Sequence, residues 1–406
     1  MIKTLSTISL MLFVFYNTFA QTWVPRANVG GPPRTSAAAF TLGGKGYVFT
    51  GDDGSLIARK DLWEYDPVSD NWTQKLDLPS VGRYYAVGFT IGNKGYLATG
   101  GWGIDDLWEW DQATDTWKQR ANFPGGWREN AIAFSIGNKG YIGLGNNGSS
   151  NANDLWEWDG DTLSPTFNTW TQKANFIGGS GTRREAVCFT IGKKGYVATG
   201  SMPLLGYREL WEFNGDTTSP TYNTWTQKAN FVGKGRYAAA GFAIGTKAYL
   251  GTGDDGDSLR SDFWEWDQLT DTWTQKPWFP GGARFAAIGL SIGNKGYIGT
   301  GNNYGASYFG DFWEYCDTCT DVGIKENELL KHVLIYPNPA TEIIYVYNLP
   351  ADAGVTITLS NVAGQEVQYE KLSQNKINVS ALNNGIYFLK IETKNVSAVK
   401  KVIVQR

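Results

Sequence analysis

Six arginines occupy one fixed place in a repeating pattern, and they are the residues best equipped for recognition chemistry. Arg34, Arg83, Arg128, Arg183, Arg236 and Arg284 each lie 13 residues before a tyrosine: Tyr47, Tyr96, Tyr141, Tyr196, Tyr249 and Tyr297. An aromatic or a carboxylate follows several of them, at Tyr84, Glu129, Tyr237 and Phe285. After each tyrosine comes a second polar set: Asp52-Asp53, Trp102, Asn146-Asn147, Tyr207, Asp254-Asp255 and Asn302-Asn303-Tyr304. Guanidinium forks, amides, carboxylates and aromatic faces recognise sugars and acidic peptides through bidentate hydrogen bonds and stacking. These residues form the candidate ligand-binding set. An arginine in every repeat is also what a structural role requires, each guanidinium bonding a loop of a neighbouring repeat. The expectation is structural use for most of the six, with a subset also lining a ligand site.

The rest of the composition narrows the chemistry. There is one histidine, His332, so a binuclear metal site or a His-based triad would need other residues throughout. No metal and no cofactor is implied. A formal net charge of −3 supplies no cationic excess to displace counterions from phosphates, which argues against nucleic-acid binding. Glu129, Glu185 and the aspartate pairs are the available acids and bases for a catalytic alternative. Cys188 lies in an apolar strand pattern and reads as a buried small hydrophobe. Cys316 and Cys319 form C-x-x-C without the following helix of a redox motif; a short-range disulfide, or two free thiols at a strand end, is the reading.

Elements that position these groups can be read from the same repeat. Successive tyrosines are 49, 45, 55, 53 and 48 residues apart. Each is followed by an aromatic-acidic strand, beginning at Trp63, Trp108, Trp156, Trp211, Trp264 and Trp313, and then by Trp72, Trp117, Trp170, Trp225 or Trp273. In the second unit the expected strands are Ala86–Ile91, Lys94–Thr99, Leu107–Trp110 and Thr116–Gln119. The first two are nearly continuous apolar runs, as for strands buried on both faces. The Trp of each Trp-Glu strand is expected to pack between units, and the Glu to pair along the outside of the sheet. One four-stranded unit cannot bury both faces, whereas stacking around a ring does so and protects the edges.

Counting closes the ring. Six units have the tyrosine, but nine residues past Trp313 stands Val322, so the sixth unit lacks its last strand. The mature N-terminus supplies the match: Thr22-Trp23-Val24-Pro25-Arg26-Ala27-Asn28 mirrors Thr224-Trp225-Thr226-Gln227-Lys228-Ala229-Asn230. Residues 22 to 315 resemble kelch repeats, carried by Lys94-Gly95-Tyr96-Leu97-Ala98-Thr99-Gly100-Gly101 with Leu107-Trp108-Glu109-Trp110-Asp111 and Trp117. The double glycine of that family persists only at Gly100-Gly101; its second place is otherwise Asp52, Asn146, Ser201, Asp254 or Asn302, residues tolerant of unusual φ. The expected fold is therefore all-β: a six-bladed kelch-type β-propeller closed by an N-terminal strand and followed by a small antiparallel β-sandwich. The resemblance implies that the loops entering the first strand and leaving the second open on one face, around the channel mouth. It also admits enzymes. Copper radical oxidase chemistry is excluded because residues 22 to 315 contain no His, and no Asp-box of Ser-x-Asp-x-Gly-x-x-Trp form occurs to support a sialidase-like hydrolase. A sugar mutarotase or lyase using Arg with Glu129 or Glu185 remains the enzymatic alternative.

Both ends carry addresses. Lys3, the apolar run Ile8 to Tyr16 and the small residues Thr18 and Ala20 read as a signal peptide cleaved near Ala20, too short to span a bilayer, and the mature chain offers no transmembrane segment. Trp disappears beyond Asp321, and Val322 to Lys331 is polar. Short strands follow at Val333–Tyr336, Ile343–Tyr347, Thr356–Ser360, Ile377–Val379, Ile386–Ile391 and Val399–Val404. Ile335-Tyr336-Pro337-Asn338-Pro339-Ala340, Gly364-Gln365-Glu366, Asn384-Gly385-Ile386-Tyr387 and Lys400-Lys401-Val402 together resemble the type A sorting domain of the type IX secretion system. The expected plan is a signal peptide over 1–20, the propeller over 21–315, a linker with C-x-x-C over 316–332 and the sorting domain over 333–406. The resemblance implies export through the type IX machinery of a Gram-negative cell, to the surface or beyond. The expected role is a secreted or cell-surface recognition module for glycans or surface proteins.

Overall fold

The computed structural model describes residues 22–317 and 333–405, apart from positions 56, 180, 203, 204, 306, 348, 350–354, 363, 374 and 393–396. The signal peptide over 1–20, the linker Val322 to Lys331 and Cys319 lie outside the described residues. Two compact units divide the chain, one over Gln21–Asp317 and one containing the C-terminal strands.

The first unit is a six-bladed β-propeller. Each blade is one four-stranded antiparallel sheet, exemplified by Val87–Ile91, Lys94–Ala98, Leu107–Asp111 and Thr116–Arg120 in blade two. First strands meet first strands all the way round, with blade six (Ile288–Ile292) returning to blade one (Ala38–Leu42). The apolar clusters lie between blades. Phe40, Tyr47 and Phe49 of blade one, for example, pack with Leu97 and Trp110 of blade two, and the indole of Trp108 lies against the same cluster. In the Gly-Tyr step, the glycine is dictated by this packing. A Cβ on Gly95 would sit 2.2 Å from the Phe40 ring of the preceding blade, and one on Gly296 would sit 1.9 Å from Phe242.

First strands differ from the expectation that both faces are buried. They alternate: Phe40 and Leu42 enter the inter-blade core, while Ala39 and Thr41 face the channel. Small side chains fill the channel-facing column in every blade because six strands converge there. Cys188 belongs to this column and also packs against the cluster between blades three and four, as a small hydrophobe would. It is a free thiol that donates to the Ala133 carbonyl on the first strand of the preceding blade at 3.1 Å, and burial pushes its pKa up to about 11.

Three circular belts of hydrogen bonds tie the blades. In the innermost, Ser36, Tyr85, Asn130, Glu185, Ala238 and Ala286 all have φ between 50° and 57°. Each donates its backbone N–H to the counterpart in the preceding blade, from Tyr85 to Ser36 at 3.0 Å round to Ser36 to Ala286 at 3.1 Å. A second belt runs from the glycine after each second strand to the next blade's arginine carbonyl, as Gly100 to Arg128 at 2.8 Å and Gly301 to Arg34 at 2.8 Å. The third is on the rim, where each fourth-strand indole donates to the preceding blade: Trp72 to Ala27 at 2.9 Å, Trp117 to Leu76 at 2.8 Å, Trp273 to Ala229 at 3.0 Å.

The N-terminal strand completes this rim. Thr22–Arg26 pairs antiparallel with Phe312–Cys316, Trp23 opposite Tyr315. Trp23 donates to the Pro277 carbonyl at 3.1 Å, and its ring packs edge-on to Phe263 and Phe279. Arg26 forks onto Glu314 at 2.9 and 3.1 Å, the place Arg120 takes on Glu109 in blade two. Elsewhere on the rim a turn Asp or Asn accepts the neighbour's N–H, as Asp115 does from Leu76. Blade six has no such turn because its third and fourth strands, Phe312–Cys316 and Thr22–Arg26, are not consecutive in sequence, and the neighbouring position is Pro277, which has no N–H to satisfy.

The second unit consists of two antiparallel sheets. Strands Leu334–Tyr336, Ile343–Tyr347, Lys376–Asn378 and Glu370–Ser373 form one, and Thr356–Asn361, Gly385–Glu392 and Ser397–Val404 the other. Ile344, Val346, Ile357, Leu359, Leu389, Ile391, Val402 and Val404 are among the side chains of its single core.

We predict that Trp23→Ala costs the propeller about 2–3 kcal/mol, from lost apolar burial and the cavity left behind. Starting the chain at Arg34 should do more, exposing the Phe312–Cys316 edge and causing self-association. Denaturant titration and light scattering read both. Unchanged stability and a monomeric truncation would remove the latch assignment.

Candidate functional site

The six arginines lie inside the blades. All are at most 4 % exposed, and each is held by its own blade, not by a neighbouring blade's loop as expected. Arg34 donates to the Thr50 carbonyl at 2.9 Å and forks onto both oxygens of Asp61 at 2.7 Å. Arg128 does the same with Leu144 and Asp154, Arg236 with Thr252 and Asp262, and Arg284 with Thr300 and Asp311. Arg83 pairs with Asp106 and Arg183 with Glu209. The same acid accepts from the Trp-Glu strand's indole, as Trp63 to Asp61 at 2.7 Å and Trp264 to Asp262 at 2.9 Å. Burial opposes ionisation of Asp61, Asp106 and Asp262, but the arginine bond and charge outweigh it and hold these carboxyls below the usual range. Four guanidiniums also stack on a phenylalanine, Arg284 between Phe279 and Phe309. Tyr207 belongs to this set, its ring 4.2 Å from the Arg183 guanidinium. A group whose donors are spent on its own blade has little left for a ligand.

The glutamates of the Trp-Glu strands are likewise not outside the sheet. Glu64 accepts from Tyr47 at 2.6 Å and from Lys45 at 2.7 Å, and the other five tyrosines repeat the bond. The repeat's tyrosine and glutamate therefore satisfy each other in the core.

The paired Asp and Asn residues shape their own loops. Asp52, Asn146, Asp254 and Asn302 each accept the backbone N–H two residues on, from Gly54, Gly148, Gly256 and Tyr304. Asp53 and Asp255 turn inward to Arg59 and Arg260. Against the penalty of burial, hydrogen bonds from the loop and these arginines pull both to about 2. Asn147 and Asn303 cap the same turns through Ser149 and Gly305. Cys316 is disulfide-bonded at the end of its strand.

The residues directly after the six buried arginines gather at one mouth of the channel. Thr35, Glu129, Arg184, Tyr237 and Phe285, each directly after its arginine, bridge to Asp52, Asn146, Ser201, Asp254 and Asn302. Inside them, Ser36, Tyr85, Asn130 and Glu185 surround a cavity of about 160 Å³ floored by alanines. Glu185 accepts from Ser201 Oγ at 3.0 Å with Arg184 Nε 3.7 Å away, and Tyr237 donates to Asp254 at 2.8 Å. Burial pushes the Glu185 carboxyl up, aided by the charges of Asp254 and Glu129 and opposed by Arg184 and Ser201; burial also raises Glu129.

Two aromatic side chains project from this mouth. Trp102 is 60 % exposed and meets Tyr84 edge-on at 5.0 Å; Tyr304 is 63 % exposed and lies 4.7 Å from Phe285. Tyr304 has φ 64° at a turn position that blades one, two, three and five fill with Gly54, Gly103, Gly148 and Gly256. Trp102 has φ 68°. Left-handed backbone at a bulky residue costs on the order of 1 kcal/mol or more, so both aromatics are placed at the expense of stability. The sequence reading had both residues but missed the small-residue column and the acid two before each Trp. That acid was visible as a recurring carboxylate at Asp61, Asp106, Asp154, Glu209, Asp262 and Asp311.

Comparisons agree with these two units. The propeller resembles a solved structure titled "Structure of YjhT", with TM-score 0.58 and 15 % identity over 71 % of this chain and 95 % of that one, a likeness of fold alone. Residues 334–405 match the family model of the secretion system C-terminal sorting domain. This stretch is a type IX sorting domain, which places the protein among those exported to the cell surface or medium. No curated protein matches the chain significantly. Among the described residues no helix is long and apolar enough to cross a membrane.

A raised carboxyl pKa costs the folded state stability above the unfolded value of about 4.3. Stability from Glu185 is thus full at low pH and lost as pH rises through its folded pKa. Glu185→Gln should therefore melt higher than the parent at pH 7, and the gap should close below about pH 4. A gap that is absent at pH 7, or that widens on acidification, would contradict the mouth electrostatics.

Proposed function

We propose that this protein is a secreted or surface-displayed recognition module whose kelch-like propeller binds glycans, or glycan-bearing surface proteins, at the channel mouth. The observation that carries the reading is Tyr304: a strained aromatic stands where four other blades use glycine, with its ring exposed toward solvent. Trp102 adds a second platform. Aromatic faces stack on the apolar face of a sugar ring while nearby carboxylates and amides take its hydroxyls, here Glu129, Asn130, Arg184 and Glu185. The buried arginines do not take part directly; they hold the loops that present these groups.

One observation favours a second reading. Burial raises the carboxyl pKa of both Glu129 and Glu185, and Glu185 lines the cavity at the mouth, the condition for general acid–base work. The enzymatic alternative, a mutarotase, lyase or sialidase-like hydrolase, would use that pair.

A glycan array scored for both retention and turnover separates these readings. Tyr304→Gly should be at least as stable as the parent, since it relieves the strain, yet lose about tenfold in retention with the stacking contact. Equal retention would refute the mouth as the binding site. Turnover abolished by Glu129→Gln or Glu185→Gln would establish the enzyme instead.

Export gives a separate test. Deleting residues 333–406 should leave a folded propeller in the periplasm, because the sorting unit has its own core and shares none of the repeat. The intact chain should give an external product shortened at both ends, with cleavage in the polar stretch Val322 to Lys331. Normal external amounts of the deleted form would contradict this role for residues 333–406.

A further inference from the structure

The face opposite the channel mouth contains a second pocket, of about 580 Å³, between blades four and five. Its lining includes Lys193, Lys194, Asn214, Ser219, Thr221 and Gln268. The six blades serve as one another's controls here. In blade one Lys45 and Lys75 face two carboxylates, Glu64 and Asp66. Blade two sets Lys94 and Arg120 on Asp111 and Glu109; blade three sets Lys139 and Lys173 on Asp159 and Glu157. Blade five has Lys247 and Lys276 on Glu265, with Asp317 also bonded to both.

Blade four breaks the balance. Among the described residues Lys194 and Lys228 share Glu212 alone, at 2.6 and 3.4 Å, because the second carboxylate is replaced by Asn214. Lys193 and Asp216, 3.1 Å apart, neutralise each other. Blade six also has two cations, Arg26 and Lys295, on one carboxylate, but it lacks the long turn that walls the blade-four pocket.

The same substitution reverses the hydrogen bonds of that turn. Blade three has a turn of equal length, Asp159 to Trp170 against Asn214 to Trp225. There Ser164 and Thr166 both donate to Asp159 at 2.6 Å, so both hydroxyl protons are used. In blade four Asn214 Nδ2 is the donor, to Ser219 and Thr221 at 2.8 Å each. The two hydroxyls are 3.1 Å apart, so one donates to the other and one proton is left over at the pocket wall.

We infer that this pocket binds an anionic saccharide unit, with a carboxylate or sulfate ester set against the uncompensated lysine charge and ring hydroxyls on Ser219, Thr221 and Gln268. The volume suits one or two sugar residues. Charge and donor supply both follow from one residue, Asn214, and neither depends on the channel mouth.

Calorimetric titration of the purified chain with digalacturonate, a sulfated disaccharide and cellobiose tests it. At least one anionic sugar should bind about tenfold more tightly than cellobiose, and less tightly as salt is raised. Which one binds distinguishes carboxylate from sulfate. Asn214→Asp restores the group four other blades carry, so it should fold with an unchanged melting temperature and lose about tenfold in affinity for the anion. Lys193→Gln, at an exposed side chain, should weaken the same ligand and provides the reading if Asn214→Asp fails to fold. Tyr304→Gly should leave this binding intact, whatever it does at the mouth. Failure of both anionic sugars to bind, or binding indifferent to these pocket substitutions, would overturn the inference.

Discussion

A closed circle of six left-handed residues sets the terms for the rest of the propeller. Ser36, Tyr85, Asn130, Glu185, Ala238 and Ala286 can bond head to tail only if each blade is rotated from the last by the same amount, since an error in one would accumulate round the ring. That fixes the spacing of the first strands and leaves the channel to small side chains, Ala39, Gly88, Ala133, Cys188, Gly241 and Gly289 in one layer and Thr41, Thr90, Ser135, Thr190, Ala243 and Ser291 in the next. The outer belts act at larger radius, where blades diverge and indoles must bridge the gap. Each buried arginine then fastens the loop that carries one residue of the innermost circle. Removing one would leave an acid such as Asp61 buried without its counter-ion, a loss of about 3–5 kcal/mol in comparable pairs. The arginines therefore shape the mouth by holding its loops in place.

Much of this was legible in the sequence, and the part that was not has a physical cause. Six tyrosines at regular spacing, and Trp23 standing in for a missing sixth tryptophan, suffice to count blades and close the ring, because a repeat in sequence must be a repeat in space. Polarity is less informative. A guanidinium in a loop announces that it needs partners without saying whether those are a ligand or an aspartate 27 residues on, as for Arg34 and Asp61. Glu64 was misplaced for the same reason. Alternation in a Trp-Glu-Tyr strand suggests an outward carboxylate, yet Tyr47 and Lys45 together make burial the better solution. The first strands misled by being apolar throughout, when half of each faces a channel narrow enough to demand small residues whether or not it is wet.

Repetition within one chain also separates scaffold from function without any relative to compare. Columns that hold one residue type in all six blades, such as the buried arginine or Ala37, Ala86, Ala131, Ala186, Ala239 and Ala287, answer to the ring. The residue directly after the arginine does not: Thr35, Tyr84, Glu129, Arg184, Tyr237 and Phe285 share a backbone position and little else. Their side chains surround the mouth, where the ring does not impose one residue type. Tyr304 and Asn214 are stronger cases, because each departs from a choice other blades make and each has a visible cost or consequence, strain in one and unbalanced charge in the other.

The sorting unit shows how motifs far apart in sequence can act as one feature. Asn338 accepts from the Ile403 backbone N–H at 2.8 Å and donates to the Lys401 carbonyl at 2.9 Å, while Ala340 pairs with the same strand through Ile403 and Gln405. The Pro-Asn-Pro-Ala segment at the start therefore lies on the edge of the closing Lys-Lys-Val strand, whose Val402 and Val404 fill the core. Tyr387 of the Asn-Gly-Ile-Tyr segment is buried in that core and fixes its own turn through the Asn383 carbonyl at 2.9 Å. Loss of the last few residues would remove a core strand and the partner of Asn338 together. The surface formed by the first and last motifs thus exists only when residues 401–405 are in place beside Asn338 and Ala340, so two segments over 60 residues apart form one structural feature.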